Sequence, residues 1–494
     1  MKVAIIGAGS VGFTRTLIRD ILCVPELHDT EFALTDINGH NLDMVREIIE
    51  RMICSNELPT KVTATPDRRE ALTGARYVIN LARVGGLEAF KDDIEIPLRY
   101  GVDQCVGDTL CAGGILYGQR SIAAILEFCR DIHEVAEPGV RLLNYANPMA
   151  MNTWAAIDFG GVDTIGLCHG VQHGAAQIAE VLGAENSSEL DYVCIGINHQ
   201  TWYTDLRLKG REISSDELLA AFESHPVYSQ QEKVRIDVLR RFGYYSTESN
   251  GHLSEYLPWY RKRPEEINNW IDMSDWIHGE TAGYLRVCTE GRNWFETEFH
   301  QYLDNAGRKI DPSRRTNEHA SYIIEALETG RVYRGHFNVK NKGLITNLPD
   351  DAIVEVPGFV DRFGLNMVAA MTLPDACAIP CRASIDVQRL SVKAAIHGDV
   401  DLLKLAVLHD PLVGAVCSPE EVWQMVDEML IAQQQWLPQY AEQMDSIKAR
   451  LKDSNVPHRN YQGAATRPIR SVEELRTAQR TGNETVAPDE QVVK

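Results

Sequence analysis

Cys168 and His199 could share a divalent ion, one as a thiolate and the other as an imidazole, and each sits where an apolar run stops. Two protein ligands leave several coordination positions open, which suits an ion that also grips substrate oxygens. Taken alone, a cysteine also reads as a small buried apolar side chain and a histidine as a structural one, so the residue types leave both readings open. A third polar cluster, Asn144-Tyr145-Ala146-Asn147-Pro148-Met149, follows another apolar run. In open α/β sheets, ligands sit outside the carboxyl ends of the strands, which is where all three clusters fall.

A second kind of chemistry is written at the start of the chain. Gly7-Ala8-Gly9-Ser10-Val11-Gly12 follows Val3-Ala4-Ile5-Ile6 and precedes a helical pattern. Gly7 permits the tight turn, Gly9 lets backbone approach a pyrophosphate, and Gly12 lets the helix pack on the strand. Asp36 closes the second strand, where a ribose hydroxyl acceptor belongs, and its charge favours NAD over NADP. Arg83-Val84-Gly85-Gly86, after a further strand, is expected to lie against the cofactor.

These residues need a frame. Strand-like runs at Glu31–Asp36, Tyr77–Leu81, Val140–Tyr145 and Thr164–Cys168 alternate with helical patterns at Thr14–Leu22, Asn41–Ile53 and Gly118–Val135. That alternation predicts βαβ units and a parallel Rossmann-type sheet. Beyond about residue 190 the order changes to α+β: a β run from Tyr192, helical stretches, short strands in 343–360, then amphipathic helices at Ser391–His409 and Glu420–Tyr440. The expected division is a cofactor-binding domain over 1–190, a catalytic half over 191–456, and a loose polar tail over 457–494.

The 494 residues carry a net charge of −21, which opposes both nucleic acid and anionic lipid as partners. No run approaches a membrane span, the first residues read as a buried strand rather than a signal peptide, and the 11 cysteines show no framework spacing. Reduced thiols and a cytoplasmic location are expected.

The chain resembles glycoside hydrolase family 4, NAD- and manganese-dependent glycosidases whose cofactor half is like that of lactate and malate dehydrogenases. The resemblance rests on GAGSVG at 7–12, DTLCAGG at 108–114, NYANPMAMNTWA at 144–155, CHG at 168–170 and GINH at 196–199. It continues through TESNGHLSEYLPWY at 247–260, KGLITNLPDDAIVEVP at 342–357 and HDP at 409–411. It implies Cys168 and His199 as metal ligands, Asn147 as a sugar-binding residue and Tyr256 as a base. It also brings His169 and Asp108 into the active site, His169 as a sugar contact as well. Glu248 and His252 fall near the pocket, where they read equally as loop caps.

The family mechanism explains a nicotinamide in a redox-neutral hydrolysis. Most glycosidases use two carboxylates, and this family does not. Oxidation at C3 of the sugar acidifies the C2 proton, the C1 leaving group departs by elimination, water adds, and the hydride returns. The resemblance therefore implies NAD, Mn²⁺ or another divalent ion, a small glycoside as substrate, and a homo-oligomer, dimer or tetramer. Two long runs point to the α-galactosidase branch. That branch reads Cys-His-Ser where this chain reads Cys-His-Gly, as α-glucosidases do. The expected order is α-galactoside, then α-glucoside, then α-galacturonide, with a true NAD-dependent dehydrogenase as the reading outside the family.

Overall fold

Val3 and Ile5 point to one side of the first strand and Ala4 and Ile6 to the other, and all four are buried. A strand covered on both faces belongs inside a parallel sheet between two helical layers. The computed structural model describes residues 1–273 and 279–480. Its first six strands are β1 (Lys2–Ile6), β2 (Glu31–Thr35), β3 (Lys61–Ala64), β4 (Tyr77–Asn80), β5 (Arg141–Asn144) and β6 (Thr164–Gly166). They are parallel in the order β3-β2-β1-β4-β5-β6, the doubly wound arrangement expected of a Rossmann sheet.

The second half continues the same sheet. Beyond it come β7 (Leu190–Ile197), β8 (Gln200–Leu208), β9 (Arg211–Glu212), β10 (Tyr333–Lys340), β11 (Ile353–Asp361) and β12 (Gly364–Met367). β10 joins β6 antiparallel at Asn338 and Gly166, and the order runs on through β11, β7, β8 and β9. The three strand ends that carry the polar clusters, those of β5, β6 and β7, thus belong to one sheet, twelve-stranded among the described residues.

Helices set the remaining walls. Cys111–Val135 is longer than its sequence pattern suggested, because its first turns are small or apolar and wholly buried, so they carry no amphipathic signal. The expected helix at Ser391–His409 is two helices, Asp375–His397 and Val400–His409. Gly398 supplies the left-handed break (φ 61°) and Asp399 caps the second. The expected helix at Glu420–Tyr440 stops at Ala432 and goes on as short 3₁₀ turns.

The segment after Pro457 is packed, where a loose tail was expected. The Tyr461 hydroxyl and the Ala464 amide both donate to the buried Asp103 carboxylate, at 2.6 and 3.0 Å. Arg470 pairs with Glu290 at 2.8 Å, Arg476 pairs with Glu298, and Leu475 is buried. Both glutamates lie on the Gly283–Ala306 helix. The remainder of the expected tail, 481–494, lies outside the described residues. No helix among those described is long and apolar enough to cross a membrane.

Candidate active site

The glycine turn is built as its spacing implied. Gly7 has φ 80°, and its amide, like that of Ala8, donates to the Thr35 carbonyl. A side chain at Gly7 would strike the Ala82 backbone at 2.5 Å. Gly9 donates its amide to Asp36 Oδ2 at 2.8 Å, and Asn38 donates to Oδ1 at 2.8 Å. Asn38 caps the following helix, so Asp36 is left to face the turn. Gly7, Gly9, Ser10, Val11, Gly12, Asp36, Arg83 and Asn147 line a cleft of about 740 Å³; Ala8 is buried behind them. A cleft of that size, with backbone amides at a helix N-terminus and an acidic residue beyond, fits an extended dinucleotide.

Cys168 lies just past the end of β6, and His199 occupies the two-residue turn between β7 and β8. His199 is held at φ 61°, a region in which histidine is one of the better-tolerated residues. Between them reaches Glu248, itself at φ 70°. The Cys168 thiol donates to Glu248 Oε1 at 3.2 Å, and His199 Nε2 lies 3.8 Å from the same oxygen. One ligand atom from each of Cys168, His199 and Glu248 fits within 4.8 Å of the others. A second grouping at the same spacing joins His199 to Asp108 and His252.

Electrostatics agree with a cation here. Burial, then Glu248 and Glu355, push the Cys168 thiol well above its ordinary range, so a thiolate would need a cation beside it. Burial works against the Glu248 charge, but the rings of His199, His252 and His169, when protonated, draw its carboxyl down to about 2. The soft–borderline–hard donor set and the absence of an Arg or Lys ion pair to Glu248 among the described residues fit a divalent metal.

Asp108 ties the cleft to this cluster. Its Oδ2 accepts from Asn147 Nδ2 at 3.0 Å and faces Arg83 at 3.5 Å, while Oδ1 accepts from the Thr109 hydroxyl at 2.9 Å. Thr109 has one proton and gives it to Asp108, so it accepts from His199 Nδ1–H at 2.9 Å. That fixes the tautomer and turns the bare Nε2 toward Cys168 and Glu248. The Tyr256 hydroxyl lies 3.4 Å from His199 Nδ1. Burial, then Asp108 and Glu255, hold Tyr256 well above the usual phenol range. His169, whose side chain is 40% exposed, pairs through Nδ1 with buried Glu318 at 3.3 Å. Burial opposes its charge, yet Glu318 raises it to about 9.

The structure thus brings together every residue singled out from the sequence, sets Glu248 at the centre of the metal-type cluster, and adds three that were not singled out. Thr109 orients His199. Glu318 braces His169. Glu255 accepts the amides of Cys105, Val106 and Gly107 and so anchors the loop that carries Asp108. Thr109 and Glu255 had a signal in their places in the DTLCAGG and TESNGHLSEYLPWY runs, and Glu318 had none.

Residues 2–184 match the family 4 glycosyl hydrolase profile, and residues 194–413 match that of the family's C-terminal domain. The chain is 71% identical over 475 residues to an α-galactosidase of Rhizobium meliloti, covering 96% of this chain and 97% of that one. It is 33% identical to an α-galactosidase of Bacillus subtilis (89% and 99% covered) and 30% identical to an α-glucosidase of Erwinia rhapontici (88% and 98%). A similar fold occurs in a 6-phospho-β-glucosidase of Thermotoga maritima solved with manganese, NAD⁺ and glucose-6-phosphate. There the TM-score is 0.72 at 22% identity, over 88% of this chain and 99% of that one.

Proposed function

The chain belongs to glycosyl hydrolase family 4, and from that premise we propose that it hydrolyses α-galactosides with NAD and a divalent metal, Mn²⁺ first, as bound cofactors. The observation that carries this reading is the gathering of Cys168, His199 and Tyr256 close to Asp108, which binds Asn147 in the wall of the dinucleotide cleft. The galactoside preference is supported by the relatives, and NAD and manganese by the solved family structures together with the donor sets described above.

When bound, NAD would take up and return a hydride of the sugar while the metal polarised its neighbouring oxygens. The chain does the rest. Gly9 and Asp36 fix the pyrophosphate and ribose end, and each Asp36 oxygen keeps a lone pair for a hydroxyl beyond the amide it accepts. Asn147 gives its amide proton to Asp108, so its carbonyl oxygen faces outward to accept from a sugar hydroxyl. Tyr256 takes the C2 proton, its phenol becoming basic only with a cation close by. His169, anchored at Nδ1 by Glu318, presents Nε2 to the sugar.

The test is a panel of nitrophenyl α-galactoside, α-glucoside and α-galacturonide, assayed with NAD⁺, Mn²⁺ and a thiol reductant and then with each omitted. Highest kcat/KM on the galactoside, lost on omission of the metal, supports the reading. Preference for either other sugar overturns the substrate and leaves the family chemistry standing. Stoichiometric NADH release would instead make the chain a dehydrogenase.

A further inference from the structure

Gly170 and Glu248 come from distant parts of the chain and compete for the same space. A Cβ on Gly170 would lie 1.6 Å from Glu248 Oε1 and 2.6 Å from its carboxyl carbon. Only glycine at 170 therefore lets this carboxylate stand where it does, 3.2 Å from Cys168 Sγ and 3.8 Å from His199 Nε2. Among the described residues ring nitrogens of His199 and His252, charged only when protonated, each lie 3.8 Å from its oxygens, and no arginine or lysine pairs with it. A largely buried carboxylate needs a compensating cation, and here its nearest neighbours are a thiol and the lone-pair nitrogen of an imidazole. The backbone at Glu248 is also held in the left-handed region (φ 70°), conformational strain of the sort retained where a side chain must be aimed.

We infer that Glu248 is a third protein ligand of the metal and that Gly170 is the residue that admits it. The inference rests on the metal reading above and deepens it. A chain with serine at 170 could not hold the same carboxylate in the same place, so the Cys-His-Gly and Cys-His-Ser sequences would build different coordination spheres. Gly170 would then act through the metal.

The measurement is Mn²⁺ uptake by the full, chelator-stripped chain, followed by loss of the free-ion EPR signal and by calorimetry, with circular dichroism to check the fold. The wild type should take up one Mn²⁺. Glu248→Gln should weaken binding at least about tenfold, Gly170→Ala should do the same, and the double variant should be no worse than either single one. Proton ENDOR on Mn²⁺-loaded Glu248→Ala should show one more bound water than wild type, a change that a residue outside the coordination sphere would not produce. Wild-type affinity in folded Glu248→Gln, or an unchanged water count, overturns the third ligand while leaving Cys168 and His199 in place. Failure of the wild type itself to bind Mn²⁺ would overturn the metal reading and this inference with it.

Discussion

Asn147 donates its amide to the Asp108 carboxylate at 3.0 Å, and the same carboxylate receives Thr109, which in turn orients His199. One side chain thus aligns Asn147, the proposed sugar contact, and His199, the proposed metal ligand, at once. Asp108→Asn removes an acceptor from this set, so both alignments loosen. We expect kcat to fall about 10–100-fold, as for lost outer-shell partners of metal ligands, with NAD affinity little changed. Wild-type kcat in a folded Asp108→Asn chain would exclude the role.

Cys168→Ser and His199→Ala should each lower activity more than about 100-fold, beyond the effect of an outer-shell loss, and should abolish Mn²⁺ uptake. NAD binding, assigned above to the turn in which Gly9 donates to Asp36, should persist in fluorescence titrations. Activity surviving in metal-depleted buffer would count against both assignments.

Hydrolysis in D₂O should place deuterium at C2 of the released sugar, because elimination requires that proton to leave. Tyr256→Phe should slow turnover roughly 10²–10⁴-fold, the usual contribution of a general base. Product without deuterium at C2, read by NMR, would argue for direct displacement or a shielded base.

His336 gives a pH signature of stability. Burial, then Arg334, lowers its pKa to about 3, and its Nε2 accepts the Cys194 amide at 3.2 Å. The folded state keeps it neutral while the unfolded chain protonates below about 6.5. Between about 3 and 6.5 the unfolded state therefore binds the extra proton, and stability falls as pH falls, by up to about 1.4 kcal/mol per pH unit from this group. His336→Gln keeps an acceptor and should flatten that slope in urea unfolding at pH 6 and 5. An unchanged slope would remove His336 from the acid response.

Arg470→Ala leaves Glu290 largely buried with one arginine fewer, a loss of about 1–3 kcal/mol. Since Glu290 lies on the helix that supplies Tyr284, Cys288, Trp294 and Phe295 to the cleft, the apparent Kd for NAD should rise as well. Weaker folding with unaltered NAD affinity would confine Arg470 to stability alone.

The cofactor turn was legible because its constraints are local. Gly7 needs a left-handed backbone, Gly9 needs room, and Asp36 ends the neighbouring parallel strand, so spacing alone encodes the geometry. Cys168 and His199 were legible as residues at strand ends, although sequence alone could not show that β6 and β7 share a sheet through β10 and β11. Glu248 and Glu318 were harder to read because a carboxylate in a loop or at a helix start is ordinarily a cap, and Glu255 because one inside a short helix is ordinarily solvated. Their roles appear only when distant segments close over them. The packed segment after Pro457 was missed for a similar reason: it is held by hydrogen bonds and ion pairs to buried acids, which leave little hydrophobic periodicity.

The contacts of residues 461–476 impose an order in time. Translation delivers these residues after every ligand and every strand of the sheet, yet they brace the helix that walls one side of the cofactor cleft. A nascent chain can form its sheet and its Cys168–His199 cluster while that wall is still unbraced. Competence to retain a nicotinamide should therefore arrive only once residues 461–476 have been made, rather than when the glycine turn first folds.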